Sequence, residues 1–428
     1  MTEEVIMAEK VKKSRGKKAL KVILIIVLVI ALLVCACGVV NQIAASSHKN
    51  LAKSLEAVSY ENQLVPELDR NGNYTFVTDG DFKVMQLTDI HIGAGFMSTQ
   101  KDNMAINAVS SMIRAEKPDL VCISGDIGYP VPFQSGTINN KSDAVIFAEM
   151  MEALGVYWAP VFGNHDTESF SLYDREDIGE IYESEEYPHC LFQAGPEDIY
   201  GVGNYVINVK NTKGEITQSI FMMDSNDYTS NSILSSLSWD YDCIHTDQIE
   251  WYKSTVDSLT AENGGTVPKS IVFFHIPLIE VKDAWYEYRD NGYQDTENVQ
   301  YIYGKAGEGE GDIMTGLGVE DTAVVFCSEH NNGFFDALAE KGSTQAMFFG
   351  HDHLNTFSIY YKGIRMTYGY SVDYLAYKGI STIGSQRGCT MITVKPDGSI
   401  DVTPENYYQD KYVSAVPKEE VTMQEYTH

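Results

Sequence analysis

Eight side chains of metal-binding type stand on five short segments: Asp89 and His91 in Asp-Ile-His, Asp126 in Gly-Asp, Asn164 and His165 in Gly-Asn-His-Asp, a lone His275, and His351 and His353 in Gly-His-Asp-His. Carboxylate, amide and imidazole donors suit iron, manganese and zinc alike, and this many can serve two divalent or trivalent ions. A metal pair acidifies a bridging water and clamps the oxygens of a phosphoryl group, so the chemistry these residues equip is hydrolysis of a phosphate ester. Each fragment alone is weak evidence. Their order along one chain makes the reading specific.

Short apolar runs place these residues. Runs at 83–87, 120–124, 157–162, 205–209, 219–223, 271–274 and 346–349 alternate with helical patterns at 100–116, 143–154, 247–260 and 333–341, which predicts an α/β domain. Thr246-Asp247 marks a helix start, and residues 391–402 around Pro396-Asp397-Gly398 read as a hairpin. Every donor directly follows one of the apolar runs, at the carboxyl end of a strand, where α/β sheets place their ligands. Residues i and i+2 of an extended chain point the same way, so Asp89 with His91, and His351 with His353, are expected to share a pocket. A single histidine after a strand is usually an ordinary hydrogen-bonded residue. Five of the ten histidines obey the rule here, and burying them beside carboxylates without metal would cost several kcal/mol. Residues 282–319, rich in tyrosine, acids and glycine, read as an irregular segment that is either an active-site rim or a surface insertion.

The chain opens differently. Residues 22–40 carry no charge, and at about 1.5 Å per residue they nearly span the ~30 Å hydrocarbon core of a bilayer. Lys10, Lys12, Lys13, Arg15, Lys17, Lys18 and Lys21 precede them, and such a basic cluster stays on the cytoplasmic side. The reading is a single-pass transmembrane helix in the cell membrane, with residues 1–21 as a cytoplasmic tail and the catalytic part extracellular. A cleaved secretory signal and a lipid-modified Cys37 are the alternatives. Residues 41–73 read as a polar stalk, 74–410 as the catalytic domain and 411–428 as a C-terminal tail.

With 31 basic against 60 acidic residues the net charge is −29, and seven of the basic residues lie in the leading 21. The remaining surface repels polyanions, which excludes long nucleic acid as a partner and leaves small phosphorylated molecules. Beyond the apolar run the five cysteines lack Cys-x-x-Cys spacing, so neither a disulfide scaffold nor a zinc ribbon is indicated.

The set Asp-x-His, Gly-Asp, Gly-Asn-His-Asp, His and Gly-His-x-His resembles the calcineurin-like metallophosphoesterase superfamily. Three passages resemble its purple-acid-phosphatase-like phosphohydrolase branch: Phe274-His275-Ile276-Pro277-Leu278, Gly350-His351-Asp352-His353-Leu354-Asn355, and Asn332-Gly333-Phe334-Phe335-Asp336-Ala337-Leu338. Asp224-Ser225-Asn226-Asp227-Tyr228 followed by Gln248-Ile249-Glu250-Trp251 fits the same branch. The resemblance implies a two-sheet sandwich flanked by helices. It implies that Asp89, His91, Asp126 and His353 hold one metal ion and that Asp126, Asn164, His275 and His351 hold the other. Gly125-Asp126-Ile127-Gly128-Tyr129 also matches the Gly-Asp-x-x-Tyr of true purple acid phosphatases, but those enzymes have glycine where this chain has His91. Tyr129 is therefore expected in the pocket wall.

The mechanism expected from this set uses a metal-bridging hydroxide, with His165 as general acid and Asp166 orienting its imidazole. Asn355 and Arg387 are softer candidates, at the site's edge and as a phosphate grip. The function so read is hydrolysis of small phosphate esters at the outer cell surface, with two ions of iron, manganese or zinc. A nucleotidase or cyclic-nucleotide phosphodiesterase is the alternative enzyme, and a catalytically idle surface binding protein the alternative outside enzymes.

Overall fold

The structure is a computed structural model that describes residues 3–230, 240–307, 324–377, 380 and 386–421. Its helices are α1 (Glu3–Lys53), α2 (Thr99–Glu116), α3 (Asn140–Leu154), α4 (Arg175–Tyr182), α5 (Thr246–Glu262), α6 (Ile279–Asp290) and α7 (Phe334–Lys341). Its strands are β1 (Glu67–Leu68), β2 (Tyr74–Val77), β3 (Phe82–Leu87), β4 (Leu120–Ser124), β5 (Trp158–Val161), β6 (Tyr205–Lys210), β7 (Ile216–Met222), β8 (Ser270–Phe273), β9 (Val299–Tyr303), β10 (Thr344–Phe349), β11 (Ser358–Tyr361), β12 (Ile364–Tyr368), β13 (Gly388–Val394) and β14 (Ile400–Asn406).

Among the described residues these strands form two mixed sheets, in the orders β14-β13-β3-β4-β5 and β1-β2-β6-β7-β8-β10-β12-β11-β9. The centre of each is parallel: β3 with β4 and β4 with β5 in one, β7 with β8 and β8 with β10 in the other. Parallel strands covered on both faces read as continuous apolar runs, and Leu120–Ser124 is buried at every position. The hairpin arm β14 sits at a sheet edge and instead alternates between exposed and half-buried.

One core joins Val84, Leu87 and Ile123 of the smaller sheet to Ile220, Phe273 and Phe348 of the larger and to Ala105, Val109 and Met112 of α2. A second core seats Tyr252 of α5, Trp285 of α6 and Leu338 of α7 on the outer face of the larger sheet, against Phe221, Met347 and Phe349. The result is the expected sandwich of two sheets flanked by helices. Residues Lys17–Lys53 of α1 make one helix long and apolar enough to cross a membrane.

The domain edges depart from the sequence reading. The expected stalk is not a spacer at its start, because α1 continues to Lys53 and buries Ala44, His48 and Ala52. Those residues recur every fourth position, one helical face, and small side chains bring it onto α3, where Lys49 and Lys53 pair with Glu149 at 2.8 and 3.2 Å. The tail also docks: Tyr412 is buried and donates to Glu116 at 2.6 Å. The segment read as irregular begins as the last three-quarters of α6, with Trp285 and Tyr288 buried, and continues into β9. Residues 308–319 of it lie outside the described residues.

Phe348 is fully buried between the sheets and stacks on Phe273 with ring centroids 5.1 Å apart. We expect Phe348→Ala to lower unfolding free energy by about 3–5 kcal/mol in urea titration, while Val77→Ala, at a position 52% exposed, changes it by less than about 0.5 kcal/mol.

Candidate metal centre

Both sheets contribute to the site. Asp89, Asp126 and Asn164 stand two or three residues beyond β3, β4 and β5 of the smaller sheet, and His275 and His351 two residues beyond β8 and β10 of the larger. The strand edges therefore aim loops from two layers at one point. The loops themselves are not extended, as the i, i+2 argument assumed. Asp89, His91, Asp126 and His351 all have left-handed backbone, with φ of 48°, 54°, 56° and 75°. Sharp turns, rather than the pleat of a strand, make the donors converge. Glycines give the room: a Cβ at Gly125 would lie 2.4 Å from the His275 ring, at Gly163 2.1 Å from Asp126 Oδ1, and at Gly350 2.7 Å from Asp89 Oδ2.

The donor atoms of Asp89, His91, Asp126 and His353 all lie within 4.8 Å of one another, buried. Asp126 Oδ2 is 3.2 Å from both His91 Nε2 and His275 Nε2. On the far side, Asn164 Oδ1 is 3.1 Å from His275 Nε2 and 3.0 Å from His351 Nδ1. Its orientation is set by Asn164 Nδ2 donating to the Tyr228 hydroxyl at 3.0 Å.

These contacts call for positive charge. His275 Nδ1 donates to the Ser124 carbonyl at 2.8 Å, which leaves Nε2 to face the oxygens of Asp126 and Asn164. Burial opposes charging His91 and His275, but Asp373 and Asp126 beside His91, and Asp126 and Asp89 beside His275, raise their pKa values to about 10 and about 9. Burial likewise opposes ionising Asp126, yet His275 and His165 hold its carboxyl well below the usual range. His351 is the exception: burial and the neighbouring His275 push it well down, toward a neutral imidazole. Asp89 Oδ2, fully buried, has no hydrogen-bond partner among the described residues. Without metal, protons on His91 and His275 supply the missing charge; divalent ions bind such a set by displacing them, so the residues present fit two cations.

His165 occupies the mouth. Its side chain is 23% exposed, whereas those of His91 and His275 are 0% exposed. Its partner is not Asp166, as the sequence reading had it. His165 Nδ1 lies 2.8 Å from Glu168 Oε1, one helical turn's spacing along the chain, because the loop after β5 turns the neighbouring side chain inward. Asp166 accepts from the backbone N–H groups of Asp126, Gly128 and Gly163 at 3.0, 2.8 and 2.8 Å, and so ties the loop after β4 to the loop after β5. Tyr129 stands in the wall as expected, its ring centroid 4.8 Å from those of His91 and His165.

Two softer candidates turn out to be supports. Asn355 is buried, accepts from Gly307 N at 3.0 Å and donates to Val324 O at 2.7 Å, which spends its amide on neighbouring loops. Arg387 is also buried and donates to Val372 O, Asp373 O, the Tyr408 hydroxyl and Glu419, so it grips protein rather than facing a phosphate. What it holds is a residue the sequence reading missed. Asp373 places Oδ1 3.1 Å from His91 Nδ1 and Oδ2 3.6 Å from His353 Nδ1, behind both imidazoles. Burial opposes its ionisation, but His91 keeps its carboxyl below the usual range. Asp373 follows β12, so the strand-end rule would have reached it had that strand been read.

A carboxylate behind two imidazoles fixes their orientation and raises their basicity. We expect Asp373→Ala to fold, with an unchanged circular dichroism spectrum, and to bind divalent metal about 10–100-fold more weakly in calorimetric titration; unchanged affinity would separate Asp373 from the centre.

The family model for calcineurin-like phosphoesterases matches residues 82–355. A probable inactive purple acid phosphatase, number 14, of Arabidopsis thaliana is 30% identical over 71% of this chain and 73% of its own length. Another, number 29, is 27% identical over 73% of this chain and 77% of its own. A dimetal phosphatase from Danio rerio superposes with a TM-score of 0.48 and 10% identity, covering 77% of this chain and 97% of the other. With the matched model spanning every donor from Asp89 to His353, the chain belongs to the calcineurin-like phosphoesterase family.

Proposed function

We propose that this chain is a phosphoesterase whose centre holds two metal ions and hydrolyses small phosphate esters. The observation that carries the proposal is the place of Asp126, one oxygen equidistant from His91 and His275 and so shared by both halves of the donor set. Asp89, His91, Asp126 and His353 would hold one ion, and Asp126, Asn164, His275 and His351 the other. When bound, the pair supplies the charge that acidifies a water and polarises the phosphoryl group.

The chain's own residues do the rest. His165, at the mouth, is raised in pKa because Asp126 and Glu168 outweigh the burial that opposes its charge. It holds a proton on Nε2 for the departing alkoxide, while Nδ1 stays bonded to Glu168. Tyr129 and Tyr241 wall the mouth; the Tyr241 ring centroid is 4.6 Å from that of His351. Asp166 keeps the loops of Asp126 and Asn164 at a fixed spacing. The membrane-crossing reading of α1, with basic residues inside, would put this centre outside the cell.

The two Arabidopsis relatives are named as probable inactive phosphatases, which favours a second reading, a catalytically idle protein. Against it stand the unbroken donor set and the partly exposed His165. Purified full-length protein decides between them: we expect about two metal ions per chain by plasma mass spectrometry and phosphatase activity that chelation abolishes and metal restores. Asp126→Asn should lose both activity and metal. His165→Ala should keep its metal and lose about 10²–10⁴-fold in kcat; full activity in that variant would remove His165 from the mechanism.

A further inference from the structure

The direction in which α1 enters the domain fixes which end of the sandwich meets the bilayer. Asn41, the first residue after the apolar run, donates to Gly136 O at 2.7 Å and accepts from Phe96 N at 3.0 Å. Phe96 lies just before α2 and Gly136 just before α3. At the other end of the docked stretch, Arg114 near the end of α2 donates to Glu56 O, and Val58 N donates to Leu154 O at the end of α3. From Asn41 onward the chain thus runs alongside α2 and α3 in the same direction. The amino ends of α2 and α3 follow β3 and β4 through the loops that carry Asp89, His91 and Asp126. The end that holds the candidate metal centre is therefore the end from which α1 runs toward the bilayer.

That end is apolar where it would touch lipid. Phe96, Met97 and Phe133 are 42%, 53% and 89% exposed. The first two crowd Gly136, where a Cβ would lie 2.8 Å from the Phe96 ring and 3.1 Å from Met97 Cγ. Phe133 tops the turn leading into Gly136, in which Gln134 N and Ser135 N donate to Val131 O and Gly136 N to Pro132 O. Asn41 is one helical rise, about 1.5 Å, beyond the last residue of the apolar run. The patch is continuous with the helix long and apolar enough to cross a membrane, and aromatic side chains at that level partition into the lipid interface. The chain's acidic excess leaves apolar contact, rather than attraction to anionic lipid, as the force that seats it. The patch is also wired to the centre: Gln134 Nε2 donates to the Tyr129 hydroxyl at 3.1 Å, and the Tyr129 ring packs on His91 and His165.

We infer that Phe96, Met97 and Phe133 seat the rim of the centre in the lipid interface, so that the phosphate ester it takes is one carried on a membrane lipid. The substrate half of this inference rests on the phosphoesterase reading above; the seating half rests on the anchoring of α1. In the reaction, water forms the new bond to phosphorus, the bond from phosphorus to the lipid oxygen breaks, and the lipid alcohol leaves with a proton from His165.

The test uses the full chain reconstituted into phosphatidylcholine vesicles whose acyl chains are brominated near the headgroup. Phe133→Trp adds one fluorophore to the four native tryptophans, and the added emission should be quenched by the brominated lipid. Val413→Trp is the control: Val413 is 83% exposed and follows Tyr412, which bonds Glu116 at the opposite end of α2, about 27 Å along that helix. Its emission should not respond. An unquenched fluorophore at 133, or equal quenching at both positions, would overturn the seating. Activity is read separately, on phosphatidic acid in the same vesicles and on soluble p-nitrophenyl phosphate. Replacing Phe96, Met97 and Phe133 by serine should leave the soluble ester untouched and cut turnover of the lipid ester about tenfold or more. Equal rates on the lipid ester before and after replacement would overturn the lipid-substrate claim. Loss of all phosphatase activity in the unmutated protein, with quenching intact, would instead overturn the phosphoesterase reading and leave the seating in place.

Discussion

One carboxylate oxygen, Asp126 Oδ2, stands 3.2 Å from imidazole nitrogens that reach it from two different sheets, and the surrounding architecture exists to hold that arrangement. Several carboxylates and imidazoles are buried together here, facing one another. In a low-dielectric interior that is tolerable only with added positive charge. Four donors also occupy left-handed backbone, at a cost on the order of 1–3 kcal/mol each for non-glycine residues. The fold meets that cost with rigid parallel strands beneath each turn and with Asp166, which cross-links two of the loops through their backbone N–H groups. A loosely packed scaffold would let these turns relax outward and separate the donors.

The support extends in layers. Asp373 stands behind His91 and His353, and Arg387 holds the carbonyl of Asp373 while its guanidinium lies 3.8 Å from the Tyr374 ring. Glu419, close to the end of the described chain, closes on Arg387 at 2.7 Å. The C-terminal segment is thus coupled to the metal-binding face although it contributes no donor. At the other terminus, α1 packs along α2 and α3, with Asn41 bonded to Phe96 N and Gly136 O beside that face.

The donors were legible because parallel strands covered on both faces must be apolar throughout, which makes them stand out, and because ligands fall at their carboxyl ends. The same rule failed at β9, β11 and β12, and with β12 went Asp373: that strand is as long and as buried as β4, but Arg365 and Thr367 interrupt its apolar run. Local chemistry misled at His165, where the adjacent Asp166 looked like the orienting group; loop geometry gives that role to Glu168 and the backbone to Asp166. The docking of residues 41–53 was hidden for another reason. Its buried face consists of Ala44, His48 and Ala52, too small and too polar to register as an amphipathic stripe. Arg387 was read by its charge alone, and only the structure reveals that its donors are spent on protein.

The most direct test of the central claim is anomalous X-ray diffraction from crystals of the metal-loaded protein, measured above and below the metal's absorption edge. Two peaks with the Asp126 carboxylate between them, one flanked by His91 and His353 and the other by His275 and His351, are the expected result. A single peak, or none, in a protein whose sheets and loops are intact would contradict the account.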